Sequence, residues 1–521
     1  MHYLGRGQEA PSGEDRDWEG TPAADRTVSK TLSAAKMSVL SPVIDWWTPD
    51  ASYVTALLVT AGAGPVFRGL ASETARRWFG LSMGILLLAC TCGRGAVHPL
   101  AAAVGNVAIL KLVSARHVHA VSFAFCFAYL ALVRLLDAFV HDVSPLINVI
   151  QMLLSLKLVG LAFEVHNSWR LCQKSTAPSP TPTEPSGGEG DARDTSARDR
   201  AELAVTEVTV PTAAEQLQYA FFYVGMLTGP YYTYVTFRHC MEGTFWPWTD
   251  CGWAPVLRRA RFLPLYIVLF LFLGWMWPIA DASRASSWLY GVWFIYPVFT
   301  HFRMRMYFGF ILSEVACITH GLGAYPAGSL PRPGKGPTDY GRLVQIMEDK
   351  KELATAEYDF ETVHNIREGR VELDVTMTSV LKQWNTTVQY WLYYTVYRST
   401  PGTKVFRASV TMLVSAFWHG IHSGYYLSLL TCPLYMVVED LWERRLRRRL
   451  PESRLWLYDC VTWFLRVSMF SYLCMGFLLL RADTTLAYWR SVYFVGHTAA
   501  AALYALGLMV LPRPPRPPKP E

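Results

Sequence analysis

The run Val405-Phe406-Arg407-Ala408-Ser409-Val410-Thr411-Met412-Leu413-Val414 leads into Ser415-Ala416-Phe417-Trp418-His419-Gly420-Ile421-His422-Ser423-Gly424-Tyr425, and apolar residues resume from Tyr426 to Val438. Both flanks read as membrane helix, with an ionisable histidine between them. Such a group is expensive at bilayer depth, so it faces a bundle interior or a wet cavity and marks function. From Tyr425 to Val438 the helix rises about 21 Å at ~1.5 Å per residue. The arginines that follow, Arg444, Arg445, Arg447, Arg448 and Arg449, tie its far end to the cytoplasmic face. His419 is therefore expected deep in the bilayer or toward its outer side.

The same apolar character recurs along the chain. Of 521 residues, 52% are hydrophobic and 14% aromatic, too apolar for a string of soluble domains of that length. Runs at 52–67, 78–92, 97–113, 118–136, 146–165, 262–279, 287–300, 306–322, 405–418, 424–438, 457–480 and 487–511 approach the length of a bilayer span. Several are short or interrupted by Gly, Pro or charge. The expected fold is an all-α, polytopic membrane bundle of about ten crossings, with re-entrant or interfacial helices, enclosing a chamber. Arg68, Arg76 and Arg77 place the loop after the first run inside and the N-terminus outside. The net charge of +7 thus sets topology, and the Arg444–Arg449 cluster is read as a headgroup and topology signal, not a nucleic-acid surface.

Residues 1–36 are polar, lack the apolar core of a signal peptide and are expected to be disordered, with Met37 an alternative start to Met1. One membrane domain is expected over 37–511, holding a flexible Pro/Ser/Thr/Gly loop at 173–211 and a polar loop at 327–370. A Pro/Arg-rich tail follows at 512–521. The aromatic segment 213–238 is expected to re-enter or to lie on the surface. The absence of a visible internal repeat argues against an inverted-repeat transporter. The ten cysteines are scattered, and their spacing suggests neither a disulfide framework nor a zinc site.

Most of the thirteen histidines sit in loops or at helix ends; His419 differs in its apolar flanks. Gly420 and Gly424 remove side chains one turn apart, so that a ligand or a second backbone can approach. Upstream, Asn385 lies in Lys382-Gln383-Trp384-Asn385-Thr386-Thr387-Val388 and opens a glycosylation sequon. In an aromatic membrane segment it reads better as a buried amide, either joining helices or polarising a reacting carbonyl.

Trp384-Asn385, with His419 34 residues beyond Asn385 inside Trp418-His419-Gly420, resembles the membrane-bound O-acyltransferase family. Further strings resemble its lysophosphatidylinositol-acylating branch: Tyr223 to Pro230, Tyr296 to Phe299, Phe302 to Arg305, Gly323 to Pro326, Tyr358 to Ile366 and Cys474 to Phe477. The likeness runs from about Met37 to Leu511. It implies transfer of a fatty acyl group, arachidonoyl favoured, from acyl-CoA to the sn-2 hydroxyl of a lysophospholipid. His419 and Asn385 would form the catalytic pair. His419 would act as general base, and Asn385 would hold the thioester carbonyl. Trp384, Trp418, Gly420, Gly424, Arg303 and Arg305 are candidate substrate contacts, the arginines facing phosphates or serving as membrane-edge anchors. Acyl-CoA is a co-substrate, and no metal or other cofactor is expected. Expected partners are the two substrates and membrane lipids, and the expected location is the endoplasmic reticulum and related internal membranes. The alternatives are another lysophospholipid, a sterol, diacylglycerol or a peptide as acceptor. More remote are a transporter using His419 as a proton relay and a non-catalytic lipid-binding scaffold.

Overall fold

A computed structural model describes residues 49–140, 145–176, 189–279 and 287–511. The segments expected to be disordered at 1–36 and extended at 512–521 lie outside the described residues, as do both candidate start positions. The fold is helical, as the apolar runs require. Helices α1 (Pro49–Gly62), α2 (Gly64–Gly69), α3 (Glu73–Cys92), α4 (Val97–Leu112), α5 (Val118–Val140) and α6 (Pro145–Thr176) form the N-terminal part. The helix α7 (Glu189–Thr206) and short helices α8 (Ala213–Ala220), α9 (Tyr234–Glu242) and α10 (Trp253–Ala260) lead into α11 (Leu263–Met276) and α12 (Trp288–His320).

Then come α13 (Tyr340–Glu348), α14 (Lys350–Thr355), α15 (Glu368–Leu373), α16 (Met377–Gln383) and α17 (Thr386–Leu392). The chain closes with α18 (Lys404–His419), α19 (Ser423–Arg445), α20 (Glu452–Leu479), α21 (Ala482–Ser491) and α22 (Val495–Val510). The strands β1 (Tyr325–Pro326) and β2 (Tyr358–Asp359) pair antiparallel, Tyr325 opposite Asp359.

Among the described residues, four stretches are long and apolar enough to cross a bilayer: Glu73–Leu112, Val118–Phe139, Leu146–Ser175 and Glu452–Leu479. The pair α21 and α22, bent by 66°, adds a fifth if it forms one span. Two pairs of expected runs are continuous with each other. The runs 287–300 and 306–322 are one 33-residue helix, α12, which passes through Pro297. The runs 78–92 and 97–113 join in one 40-residue stretch. Lipid-facing surface is clearest on α11, apolar all round, where Val268, Leu271 and Trp275 are exposed. A helix apolar on every face belongs in a core or in lipid, and this one is not in the core.

The core helix is α6, buried at every residue from Gln151 to Ala162. Helix α5 packs along it, and α17 and α18 lie across it. The crossing of α19 and α20 is set by two glycines. A Cβ on Gly424 would sit 2.1 Å from the Gly476 carbonyl oxygen, and Gly424 N–H donates to Leu480 O at 2.7 Å. Small residues let two membrane helices approach backbone to backbone.

Two expectations for the polar and aromatic segments are corrected. The 173–211 loop is helical over 173–176, where α6 ends, and over 189–206, where α7 packs Ala201 and Val205 against the cluster of Tyr340 and Leu343. Its 177–188 portion lies outside the described residues. The reason lies in Ala201 and Val205, apolar residues four apart that supply a face to bury within the polar composition. The polar 327–370 stretch carries α13 and α14, with Leu343 and Ile346 buried. For the 213–238 segment only the surface-lying alternative is overturned, since Tyr219, Phe222 and Tyr232 are buried. Its aromatic polar ends find partners inside: Tyr219 Oη donates to Tyr232 O, Tyr232 Oη to Val224 O, and Lys157 Nζ to Tyr232 Oη, all within 2.8 Å.

Candidate active site

His419 is the last residue of α18. Its half-buried ring stands edge-on to Trp418 (centroids 4.9 Å apart) and Phe477 (5.3 Å) and tilted to Tyr425 (6.0 Å). Nδ1 is sealed from solvent and has no hydrogen-bond partner among the described residues. Buried polar atoms nearly always have partners, so an unpaired one asks for a reason. Here it leaves a ring nitrogen available to a proton.

The helix end carrying His419 is held by two side chains. Trp418 Nε1 donates to Met152 O on α6 at 2.9 Å. Arg134 of α5, 3% exposed, donates to the carbonyls of both Phe417 and Trp418 and lies over the Phe417 ring. The last carbonyls of a helix lack intrahelical donors and carry partial negative charge, so a guanidinium satisfies both needs.

Asn385 begins α17 in the left-handed conformation, φ +47°, which asparagine tolerates better than most residues. Its Oδ1 is also buried without a partner among the described residues. The segment is fixed from behind. Thr386 N–H donates to Asn365 O at 2.8 Å, and Thr386 Oγ1 donates to His364 O. Thr387 Oγ1 donates to Asn365 Oδ1 at 2.7 Å while accepting the Tyr231 N–H at 3.0 Å. The Asn365 and Ile366 N–H groups donate to the Glu314 carboxylate at 2.8 and 3.2 Å, and Arg259 closes the set by pairing with Glu314 and Glu368. The Tyr358–Ile366 string is thus a bracket between α12 and the Asn385 turn.

Both site segments hang on one helix. Trp391 Nε1 of α17 donates to Leu156 O at 3.0 Å, and Trp418 uses Met152 O. Those carbonyls are four residues apart on α6, about 6 Å along its axis. The core helix therefore registers the Asn385 and His419 elements against each other.

A cavity of about 870 Å³ opens beside Asn385, reaching Gln383, Thr386 and Gln389. Arg170, Lys174, Arg332, Lys335, Lys382 and Arg398 line it, opposed by Glu164, Asp199 and Glu202. Burial pulls the Lys335 ammonium below the ordinary lysine range. A space of this size and sign suits a large polyanion.

The remaining sequence candidates are placed as follows. The space at Gly424 is taken by the Gly476 backbone, and that at Gly420 by the Tyr425 ring, 2.7 Å from where a Cβ would stand. Of the two alternatives read from the sequence, a ligand or a second backbone, Gly424 shows the second backbone, and a side-chain ring fills the space at Gly420. Trp418 is an anchor to α6, and Trp384 packs against Tyr307, Phe310 and Phe470. Arg303 pairs with Glu372 at 2.8 Å, lies over Phe299 and lines a second cavity of about 480 Å³. Arg305 is half-buried on the same helix and does not line that cavity. Sequence reasoning missed Arg134, Glu314, Asn365 and Thr387. The first two were signalled as charges inside the apolar runs 118–136 and 306–322.

Comparison with known proteins gives consistent matches. The profile described as the membrane-bound O-acyltransferase family matches residues 118–481. The membrane-bound acylglycerophosphatidylinositol O-acyltransferase of Mus musculus is 36% identical over 471 residues, 89% of this chain and 94% of that protein. The Homo sapiens protein of the same name is 36% identical over 468 residues, covering 89% and 93%. The Drosophila melanogaster one is 34% identical over 467 residues, covering 88% and 92%.

Proposed function

The chain belongs to the membrane-bound O-acyltransferase family, and from that premise we propose that it acylates the sn-2 hydroxyl of lysophosphatidylinositol, using acyl-CoA as donor and favouring arachidonoyl chains. The observation that carries the site assignment is the pair of unpartnered buried atoms, His419 Nδ1 and Asn385 Oδ1, on elements registered by one helix. The acceptor headgroup rests on the named activity of relatives that align over nearly the whole chain.

The alcohol must lose its proton as it attacks, and His419 takes that proton as general base. The acceptor oxygen bonds to the thioester carbon, and the carbon–sulfur bond breaks. The CoA thiolate then leaves and recovers the proton from His419. Asn385 donates an amide N–H to the thioester carbonyl as negative charge gathers on its oxygen; rotating the amide by half a turn exchanges its two polar ends. The cation-lined cavity beside Asn385 receives the phosphates of CoA. The step uses acyl-CoA as co-substrate and calls on no further cofactor. The protein works in the endoplasmic reticulum and related internal membranes, where both substrates are lipid-associated.

Purified protein assayed with a panel of lysophospholipids and acyl-CoAs tests the reading. Lysophosphatidylinositol and arachidonoyl-CoA should give the highest kcat/KM, and His419→Ala and Asn385→Ala should each abolish turnover. Indifference to the headgroup would remove the acceptor assignment. Undiminished transfer by His419→Ala would remove the mechanism.

A further inference from the structure

The 480 Å³ cavity lies apart from the cation-lined one, with α15 as the wall between them: Glu368, Gly369 and Glu372 face the smaller space, Arg367 and Arg370 the larger. Part of its lining, Arg258 to Phe262, is the junction of α10 and α11. Trp253 before it is 80% exposed, and Trp275, at the far end of α11, is 77% exposed. The exposed Arg258 and Arg261 just before the apolar helix α11, and the exposed Trp275 at its other end, mark the two interfacial levels of a bilayer. The cavity therefore opens at headgroup depth, with the exposed apolar side chains of Phe262, Leu265 and Val268 running from it along α11.

Its charge is unbalanced in a particular way. Arg259 and Arg303 are spent on Glu314, Glu368 and Glu372. Arg258 and Arg261 are exposed, line the same space and pair with no carboxylate among the described residues. Arg261 instead lies over the Phe262 ring at 4.8 Å. Two free guanidinium groups at headgroup depth beside a lipid-facing apolar helix match one ligand chemistry: a phosphate diester with acyl chains attached.

We propose that this cavity binds the headgroup of an anionic membrane phospholipid between Arg258 and Arg261, and that occupancy is relayed to the Asn385 segment. The relay is short. Arg259, in the same cavity, holds Glu368 on the shared wall and Glu314, which in turn accepts the Asn365 and Ile366 N–H groups behind Thr386 and Thr387. A phosphate drawn toward Arg259 competes with both carboxylates. It thereby loosens or shifts the wall of the larger cavity and the bracket of Asn385. The binding claim does not depend on which acceptor the enzyme acylates; the relay rests on the Asn385 assignment above.

Native mass spectrometry of the full-length protein, titrated with phosphatidylserine or phosphatidylcholine, tests the binding. Phosphatidylserine is used so that acceptor and product sites for inositol lipids do not enter. The wild type should retain phosphatidylserine preferentially. Arg258→Ala/Arg261→Ala should lose that preference by about 30-fold, from the contribution of two arginines beside an anionic headgroup. An equal preference in wild type and variant overturns the site, as does displacement of the adduct by coenzyme A, which would assign it to the donor. Displacement by inorganic phosphate alone would mean a free-anion site and overturns the lipid. For the relay, donor KM in phosphatidylcholine vesicles should change on adding phosphatidylserine in the wild type and stay constant in the variant. The same response in both refutes it.

Discussion

Thr387→Val isolates the bracket behind Asn385. Valine matches threonine in shape but lacks the hydroxyl, which at this fully buried position serves two partners at once. Its loss strands the Tyr231 N–H, now 3.0 Å from Oγ1, and the Asn365 Oδ1, now 2.7 Å away. Asn365 has no slack, since its Nδ2 is already without a partner among the described residues. Each stranded buried group costs about 1–3 kcal/mol, so the pair costs about 2–6 kcal/mol. That is a large part of the 5–15 kcal/mol that holds a typical domain together, by order of magnitude. Thr387→Ser keeps the hydroxyl and loses one methyl, about 0.8 kcal/mol. Thermal denaturation of the purified protein in detergent should therefore rank Val well below Ser, with Ser near wild type. Acyl-transfer rates measured below the melting range should fall further for Val, because Asn385 sits two residues from the lost contacts. If the valine and serine variants melt and turn over alike, the bracket does not position Asn385.

Three further outcomes are expected. Arg134→Met should lower kcat by about 10²-fold through misplacement of the α18 end, with KM for both substrates little changed and partial recovery in Arg134→Lys; steady-state kinetics on the three proteins decide it, and an unchanged kcat in the Met variant refutes it. Gly424→Ala forces a Cβ to within 2.1 Å of the Gly476 oxygen, so α19 and α20 must separate at a cost of about 1–3 kcal/mol; a wild-type melting temperature would contradict the crossing described. Burial lifts the Asp359 carboxyl from 3.8 to about 6. A raised folded-state value means a stabilising contribution that is complete below the unfolded value and lost as pH rises through the folded one. Melting temperature should therefore fall between pH 4 and 6 by more in wild type than in Asp359→Asn, and parallel curves would show that Asp359 does not contribute.

The apolar runs, the interrupted histidine segment and the Trp384–Asn385 and Trp418–His419 strings were legible in the chain because each depends on local composition. A membrane helix declares itself by some twenty consecutive residues, and an ionisable group inside one declares a function. The errors have a common cause. Residues 189–206 look like linker until Ala201 and Val205 meet Tyr340 and Leu343. The aromatics of 213–238 look interfacial until Tyr232 reaches Lys157, 75 residues away. At Gly420 and Gly424 the sequence left open a ligand or a second backbone, and only the fold puts the Tyr425 ring at one and the Gly476 backbone at the other.

By itself, then, the sequence determined that this is a polytopic helical membrane protein of a recognisable family and singled out His419 and Asn385. Tertiary structure alone decided what holds them: Arg134 on the α18 carbonyls, Glu314 behind Asn365, and the Met152 and Leu156 carbonyls that register the two segments. Those contacts join residues up to 284 positions apart. Each of them pairs one side chain with one backbone group, and backbone groups are carried by every residue and distinguished by no sequence pattern.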